Sequence, residues 1–325
     1  PPTAFFETGG DDDARDDAEV GADLESVLDD MAAARAPATT LRWHYRSRDE
    51  SLIAFSNGRY YEGRLRTFPG AGSREAYGVA LAPVRGVFDR ARTRTNRLEA
   101  EAVVAEVVKR LTDRSRRDRS IGVVTFNQPQ RRLIEDLLDQ ARAERPEIEP
   151  YFGDSAAEPV FVKNLENVQG DERDVMLFST TFGPDAEGRI TMNFGPLNRA
   201  GGERRLNVAI TRARERLLVF SSLRHDDVDL ARTSAVGAAH LKAFLRYAAE
   251  GAGRRVEAGC VAEETTTDFE RDVAAALRRP DRIVEVGVGL SDVRVDVAVR
   301  DPRAPERYLL GVLCDGRGYR DAATT

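Results

Sequence analysis

The sequence predicts an α/β fold in which a parallel sheet carries helices on its faces. Two observations predict it. Short apolar runs at 120–125, 159–163, 174–181 and 216–222 read as strands, and the amphipathic stretches at 128–141 and 204–214 lie between them. Strands that alternate with helices call for parallel pairing, because a crossover helix must return the chain to the same end of the sheet. A third observation is length. The 325 residues suffice for about two domains, and a glycine- and arginine-rich stretch at 251–255 divides them.

The elements follow in chain order. Residues 7–23 are acidic and poor in apolar residues and read as a mobile loop. Residues 24–35 place Leu24, Val27, Leu28 and Met31 at helical spacing, behind several acids that suit a helix N-terminus. A helix is expected over 49–62, then a loop through Pro69, Gly70, Ala71 and Gly72, then a strand over 77–84. Asn96 can cap a helix reaching about Leu111. After the central alternation come a helix near 235–249, the linker, an amphipathic helix over 268–278, and strand-like runs at 283–288, 293–299 and 308–314. The expected division is an acidic loop and connecting helix (1–40), a main α/β domain (41–250), a linker (251–265) and a small α+β unit (266–325).

Composition excludes several classes. No apolar run approaches the roughly 20 residues of a membrane span. The start, Pro1-Pro2-Thr3, has neither a basic segment nor an apolar core, so no secretory leader is read there. Cys260 and Cys314 make neither a disulfide framework nor a CxxC metal site, and a reducing cytoplasm is the expected location. Only Lys109, Lys163 and Lys242 are lysines, and none follows a glycine. A phosphate-binding P-loop needs Gly-Lys-Ser/Thr, so the chain carries none. The net charge of −6 hides an asymmetry: residues 1–30 carry −10, which leaves +4 on residues 31–325.

Four segments carry candidate chemistry. In Arg204-Arg205-Leu206-Asn207-Val208-Ala209-Ile210-Thr211-Arg212-Ala213-Arg214, arginines sit on an otherwise apolar helix that enters a buried strand. Composition alone reads this first as a solvated basic face. An arginine held there can also stabilise charge on a transferring phosphate. The full pattern resembles motif VI of superfamily 1 helicases, which implies that Arg212 is an arginine finger acting on ATP bound to a partner RecA-like domain. The run from Asn164 through Gln169-Gly170-Asp171-Glu172-Arg173-Asp174 is a polar turn before a strand, where a glycine permits close backbone approach. It resembles helicase motif V through Val162, Gln169, Gly170, Glu172 and Asp174. That resemblance implies nucleotide contact for Gln169, Gly170 and Glu172, and strand-backbone contact at Asn164, where the family often has Thr or Ser.

The segment Leu41-Arg42-Trp43-His44-Tyr45-Arg46-Ser47-Arg48 is by itself a basic-aromatic patch of low specificity. It resembles the Q-Y-R-M-H-P segment of superfamily 1B helicases, with Tyr45-Arg46 matching, and implies that Arg46 is a second cation on the γ-phosphate. Asp49-Glu50-Ser51 imitates a Walker B box, but no buried strand precedes it, so it is read as a helix start. In the fourth segment, polar residues at a strand's end lead into a helix N-terminus at Thr125-Phe126-Asn127-Gln128-Pro129-Gln130, a good phosphate seat. It resembles the family's I-G-V-I-T-P-Y-x-x-Q turn, and Thr125, Asn127 and Gln130 become candidate contacts to a single-stranded backbone, with Phe126 read as packing. Asn96 and Glu99 match the family's N-x-x-E-A helix start, for which capping is a sufficient explanation.

The tail resembles the Vsr-like branch of the PD-(D/E)xK nuclease fold over about 60 residues. Such sites gather acids from adjacent strands around Mg²⁺, which activates water. Glu270, Asp296 and Asp315 are the candidates, but Leu313 stands where relatives have glutamate and Arg320 where they have histidine. A leucine cannot bind a metal, so a degenerate domain without a metal is expected here.

Together the resemblances imply a RecA-like domain of the P-loop NTPase fold, the second motor domain of a bacterial superfamily 1 helicase or translocase, followed by a truncated restriction-endonuclease-like domain. ATP and Mg²⁺ would be bound mainly by a first RecA-like domain that precedes this chain in the parent protein; Pro1–Phe6 resembles the stretch just after helicase motif III. Expected partners are that domain and single-stranded nucleic acid, DNA before RNA, with no membrane. The chain alone is expected to be inactive as an ATPase. The alternatives are a metal-dependent nuclease and a non-enzymatic nucleic-acid-binding fragment.

Overall fold

The structure is a computed structural model and describes residues 27, 31, 33–70, 77–153, 156–250, 267–291 and 293–315. Residues 1–42 and 43–325 form separate compact units. In the first, Val27, Met31 and Ala33 are helical, as expected for 24–35. The acidic segment 7–23, the linker 251–265, Cys260 and Arg320 lie outside the described residues.

The second unit is built on α1 (Ser51–Tyr60), β1 (Gly78–Pro83), α2 (Arg97–Thr112), β2 (Ile121–Thr125), α3 (Gln128–Glu144), β3 (Phe161–Asn164), β4 (Arg173–Ser179), α4 (Gly202–Ile210), β5 (Ala213–Ser221) and α5 (Val236–Glu250). Strands β1 to β5 make one sheet in the order β1-β5-β4-β2-β3. Every pairing in it is parallel. This is the parallel α/β arrangement expected from the alternation, and it is consistent with the RecA-like fold that the motif resemblances imply.

Side-chain parity along the strands explains the two faces. Ile121 and Val123 of β2, with Val175 and Leu177 of β4, pack against Val103 and Val107 of α2 and Ile134 and Leu138 of α3. Val124, Met176, Phe178, Leu217 and Val219 point the other way, onto Phe55 of α1, Leu206 of α4 and Phe244 of α5. A strand covered on both faces has no polar side to show, so its sequence is apolar throughout. The capping expected of Asn96 holds, its Oδ1 accepting from Glu99 N (3.2 Å), and Asn127 also caps, its Oδ1 accepting from Gln130 N (2.8 Å).

Two boundaries differ from expectation for physical reasons. The basic helix ends at Ile210, not 214, and Arg214 already lies on β5. Thr211 terminates it: its hydroxyl bonds back to Asn207 O and Val208 O, both at 3.0 Å, in place of further helical turns. The last strand begins at Ala304, because a tight turn folds it straight back, with Asp301 paired to Ala304 and the Asp301 carboxylate accepting from Arg303 N at 2.9 Å.

Beyond the linker, α6 (Asp268–Leu277) packs on an antiparallel sheet of β6 (Val284–Val288), β7 (Val295–Asp301) and β8 (Ala304–Val312). This part is latched to the segment that opens the second unit. Both carboxylate oxygens of Glu50 accept from Leu290 N, at 3.1 and 3.0 Å, and Thr67 donates its hydroxyl to the same carboxylate. Ser291 Oγ donates to Thr67 O at 3.1 Å and accepts from Thr67 N at 3.2 Å. Glu50 is 7% exposed, so its acid does a structural job at the start of α1, and among the described residues no strand precedes it. No helix among the described residues is long and apolar enough to cross a membrane.

Replacing Glu50 by alanine strands the Leu290 amide and the Thr67 hydroxyl. Stability should fall by about 1–3 kcal/mol, with faster amide exchange at Leu290 and unchanged exchange in α2 and α3. Unaltered exchange at Leu290 would contradict the latch.

Candidate functional site

Parallel pairing brings the amino ends of β2, β4 and β5 to one edge of the sheet. Ser120, Asp174 and Arg214 therefore meet there. Arg214 donates from Nε to Asp174 Oδ1 (2.9 Å), from Nη1 to Glu158 Oε1 (2.9 Å) and from Nη2 to Ser120 Oγ (3.0 Å). Its charge and these bonds hold the Glu158 carboxyl below the usual carboxylate range.

The segment 43–48 runs along the same edge. Arg48 N donates to Arg214 O at 2.7 Å, and Ser47 Oγ contacts Ala213 O at 3.5 Å. Its upstream end is pinned by a bridge between Trp43 and Arg66 and by stacking of Trp43 on Phe68 at 4.8 Å. His44 closes the turn, with Nε2 accepting from Ser47 N at 3.2 Å. Burial, and then the neighbouring Arg46, pull the His44 pKa down to about 4, so the ring is neutral near pH 7 and adds no charge to the edge.

This turn delivers Arg46 to the C-terminus of α4. Arg46 Nη1 donates to Thr211 O at 3.3 Å, and Arg212 donates from Nε to Val208 O (2.7 Å) and from Nη2 to Thr211 Oγ1 (3.1 Å). Two guanidiniums thus share one helix end. Its unpaired carbonyls and negative dipole end hold them there against their mutual repulsion. Burial, and then the charge of Arg46, pull the Arg212 guanidinium below its ordinary value, while Glu172 opposes the shift. Glu172 Oε2 lies 2.6 Å from Arg46 Nε. Just before it, Gln169 and Gly170 are exposed, and Gly170 has φ +90 with open space around its Cβ position. The structure therefore brings together Arg46, Arg212 and Glu172 beside the Gln169–Gly170 turn. Two clustered cations with an open approach can bind a multiply charged anion such as a phosphate chain.

The other four candidates gather at the opposite edge, where strands end. Thr125 and Asn164 are register partners at the ends of β2 and β3. Thr125 and Gln130 are fully buried and Asn164 is 3% exposed. Thr125 Oγ1 donates to Asn127 O at 2.9 Å, and Asn164 Oδ1 accepts from Asn167 N at 3.0 Å. The Gln130 amide accepts from Asn96 N (2.8 Å) and donates to Asn96 O and Ser179 Oγ (both 3.0 Å). These bonds shape the turn. Asn127, half-buried, caps α3 and donates to Arg94 O at 2.9 Å. Phe126 is fully buried, the packing role expected of it.

Sequence reasoning passed over Glu99 here. Asn96 does the capping, and Glu99 turns inward. It accepts from Thr181 N (2.6 Å), Ser179 Oγ (2.8 Å), Ser222 N (3.0 Å) and Ser222 Oγ (3.2 Å). This clamps the carboxyl ends of β4 and β5, including Thr181 at φ +69, a costly conformation for a β-branched residue. The available signal was position: Glu99 lies on the same helical stripe as Val103 and Val107.

Of the three acids in the tail, Glu270 completes a capping box with Thr267, and Asp296 accepts from Cys314 N at 2.6 Å. Burial, and then the charges of Asp296, Glu270 and Asp315, push the Cys314 thiol up. Among the described residues, no group of three or more His, Cys, Asp or Glu could hold a metal ion. Leu313 is 72% exposed.

Burial raises the Glu99 pKa to about 7 against four hydrogen bonds that lower it. The folded value exceeds the unfolded one near 4.5. Its contribution to stability is therefore complete below that unfolded value and is lost as pH rises through about 7. Unfolding free energies from denaturant titration should fall between pH 5 and pH 8 by an amount on the order of 2–4 kcal/mol, and Glu99→Gln should flatten that slope. An equal slope in the variant would contradict the assignment.

The chain is 33% identical over 259 residues to the uncharacterized ATP-dependent helicase MG140 of Mycoplasma genitalium, covering 76% of this chain and 22% of the relative. It is 35% identical over 213 residues to the homologous protein of Mycoplasma pneumoniae, covering 64% and 18%. The chain thus spans about a fifth of the length of the curated relatives it matches. Among solved structures, the C-terminal domain of a possible DNA helicase from Lactobacillus plantarum matches at 13% identity and TM-score 0.31, covering 62% of this chain and 94% of that one. Residues 24–224 match the AAA domain family, which is well over half of the chain, and the chain belongs to that family.

Proposed function

We propose that this chain is the arginine-supplying second lobe of an ATP-dependent nucleic-acid helicase or translocase. The observation that carries the reading is the pairing of Arg46 and Arg212 at the C-terminus of α4, on the amino edge of the sheet. ATP would bind between this edge and a P-loop lobe elsewhere in the parent protein. That lobe would hold Mg²⁺ and the phosphates, since none of the three lysines here follows a glycine. Arg212 is the finger on the γ-phosphate and Arg46 the second cation. Gln169, Gly170 and Glu172 border the nucleotide. The relatives named as ATP-dependent helicases support the class of reaction.

Single-stranded nucleic acid would run past the opposite edge. There, half-buried Asn127 contacts the backbone, and Thr125, Gln130 and Asn164 hold the turns that present it. Closure of the lobes around ATP would move one edge's ligand relative to the other's. The part after residue 266 serves as a restriction-endonuclease-like docking or DNA-contact domain, latched through Glu50.

The test is steady-state ATP hydrolysis by a longer protein that joins this chain to a P-loop lobe. Arg212→Ala should lower kcat by about 10³–10⁵ with an unchanged melting temperature, and the chain alone should show no turnover. Full ATPase activity in the variant would overturn the finger assignment.

A further inference from the structure

The amino-edge network contains one carboxylate that its neighbours do not need. Arg214 is satisfied by Asp174, Glu158 and Ser120 at hydrogen-bond distance, and Glu172 Oε1 stands 3.7 Å from its Nη1. Arg46 is satisfied in part by Thr211 O, and Arg212 bonds to Val208 O and Thr211 Oγ1. Glu172 nevertheless reaches Arg46 Nε at 2.6 Å and sets its negative charge beside the end of α4 that Arg46 and Arg212 share. Both members of that pair are about one-third exposed, at 33% and 37%. Next to them the Gly170 turn leaves open space.

We propose that Glu172 is a built-in competitor for the anion seat: its carboxylate stands in for phosphate on Arg46 in the ligand-free chain, and a polyphosphate binds by displacing it. The proposal rests on the reading of Arg46 and Arg212 as the phosphate-binding pair. The magnitudes favour exchange. A partly exposed ion pair contributes little to stability, so the carboxylate is held weakly. A terminal phosphate brings more charge and more acceptor oxygens, and reaches both guanidiniums at once. When Glu172 swings away, Arg214 keeps its two closer carboxylates, so the edge of the sheet stays intact. The burial of Arg212 is consistent with this. Between ligands, the carboxylate screens the repulsion between Arg46 and Arg212, and it keeps the seat from holding stray monovalent anions. The ligand class is therefore the polyphosphate tail of a nucleotide, bound in competition with an internal acid.

Isothermal titration with inorganic tripolyphosphate, which lacks ribose and base, tests this on the full 325-residue chain at low ionic strength. Glu172→Gln should bind about 3–10-fold more tightly than wild type, a gain of roughly 0.7–1.4 kcal/mol. The gain should vanish in the Glu172→Gln, Arg46→Ala double variant. Glu187→Gln, on the loop that follows the carboxyl end of β4, controls for net charge and should change nothing. Unchanged or weaker binding by Glu172→Gln, or an equal gain in Glu187→Gln, would overturn the competitor role. If Arg46→Ala and Arg212→Ala still weaken binding in that case, the phosphate-binding reading stands without it. If neither arginine variant alters binding, that reading falls and the competitor role falls with it. Far-ultraviolet circular dichroism of each variant confirms that the fold is retained.

Discussion

Everything at the candidate site depends on parallel strand pairing. A parallel sheet sorts the chain's loops by strand end, so residues far apart in sequence meet whenever they begin, or end, a strand. Ser120, Asp174 and Arg214 begin β2, β4 and β5, and they bond to one another. Thr125, Asn164, Ser179 and Ser222 lie at the other ends, where Ser179 and Ser222 join a separate network around Gln130 and Glu99 and Thr125 and Asn164 bond within their own turns. An antiparallel sheet would have mixed the two sets. The division into a cation-rich edge and an amide- and hydroxyl-rich edge is a topological consequence, and it gives one small domain two chemically distinct surfaces.

At the cation-rich edge the balance of charge is set by short-range bonds. Two guanidiniums repel each other, yet the open carbonyls at the end of α4 hold both. Arg214 ties the strand starts together and absorbs the charge of Asp174 and Glu158. His44 shapes the turn without adding charge. The result is a pair of cations with the Glu172 carboxylate beside them, 2.6 Å from Arg46 Nε. At the other edge the buried carboxylate of Glu99 binds the ends of β4 and β5 together, and its burial pushes its pKa up.

Much of this was legible in the sequence because it rests on local rules. The apolar runs around Val123, Leu177 and Val219 read as buried strands, and Asn96 is a cap residue in a cap position. The segments holding Arg46, Arg212 and Glu172 could be picked out one by one, although nothing local says that they meet; their meeting depends on strand order. Three things escaped for the same kind of reason. Thr211 ends α4 through its own hydroxyl, so the helix stops short of where its composition would carry it. Glu99 looks like the second half of a cap until the ends of β4 and β5 close over it. Thr125, Gln130 and Asn164 have the polar character of contact residues, but tertiary packing buries them and consumes their hydrogen bonds. Glu50, discarded as a metal-binding acid, holds the latch to Leu290 across 240 positions of sequence.

The central claim is that the amino edge, not the carboxyl edge, is the phosphate seat of this lobe. The most direct measurement follows the arginine Nε–Hε resonances of the ¹⁵N-labelled chain as tripolyphosphate is added, with each resonance assigned by substitution. The account predicts that Arg46 and Arg212 shift together and saturably while Arg97, at the start of α2 beside the carboxyl edge, stays in place. Movement of Arg97 with Arg46 and Arg212 unmoved would contradict it.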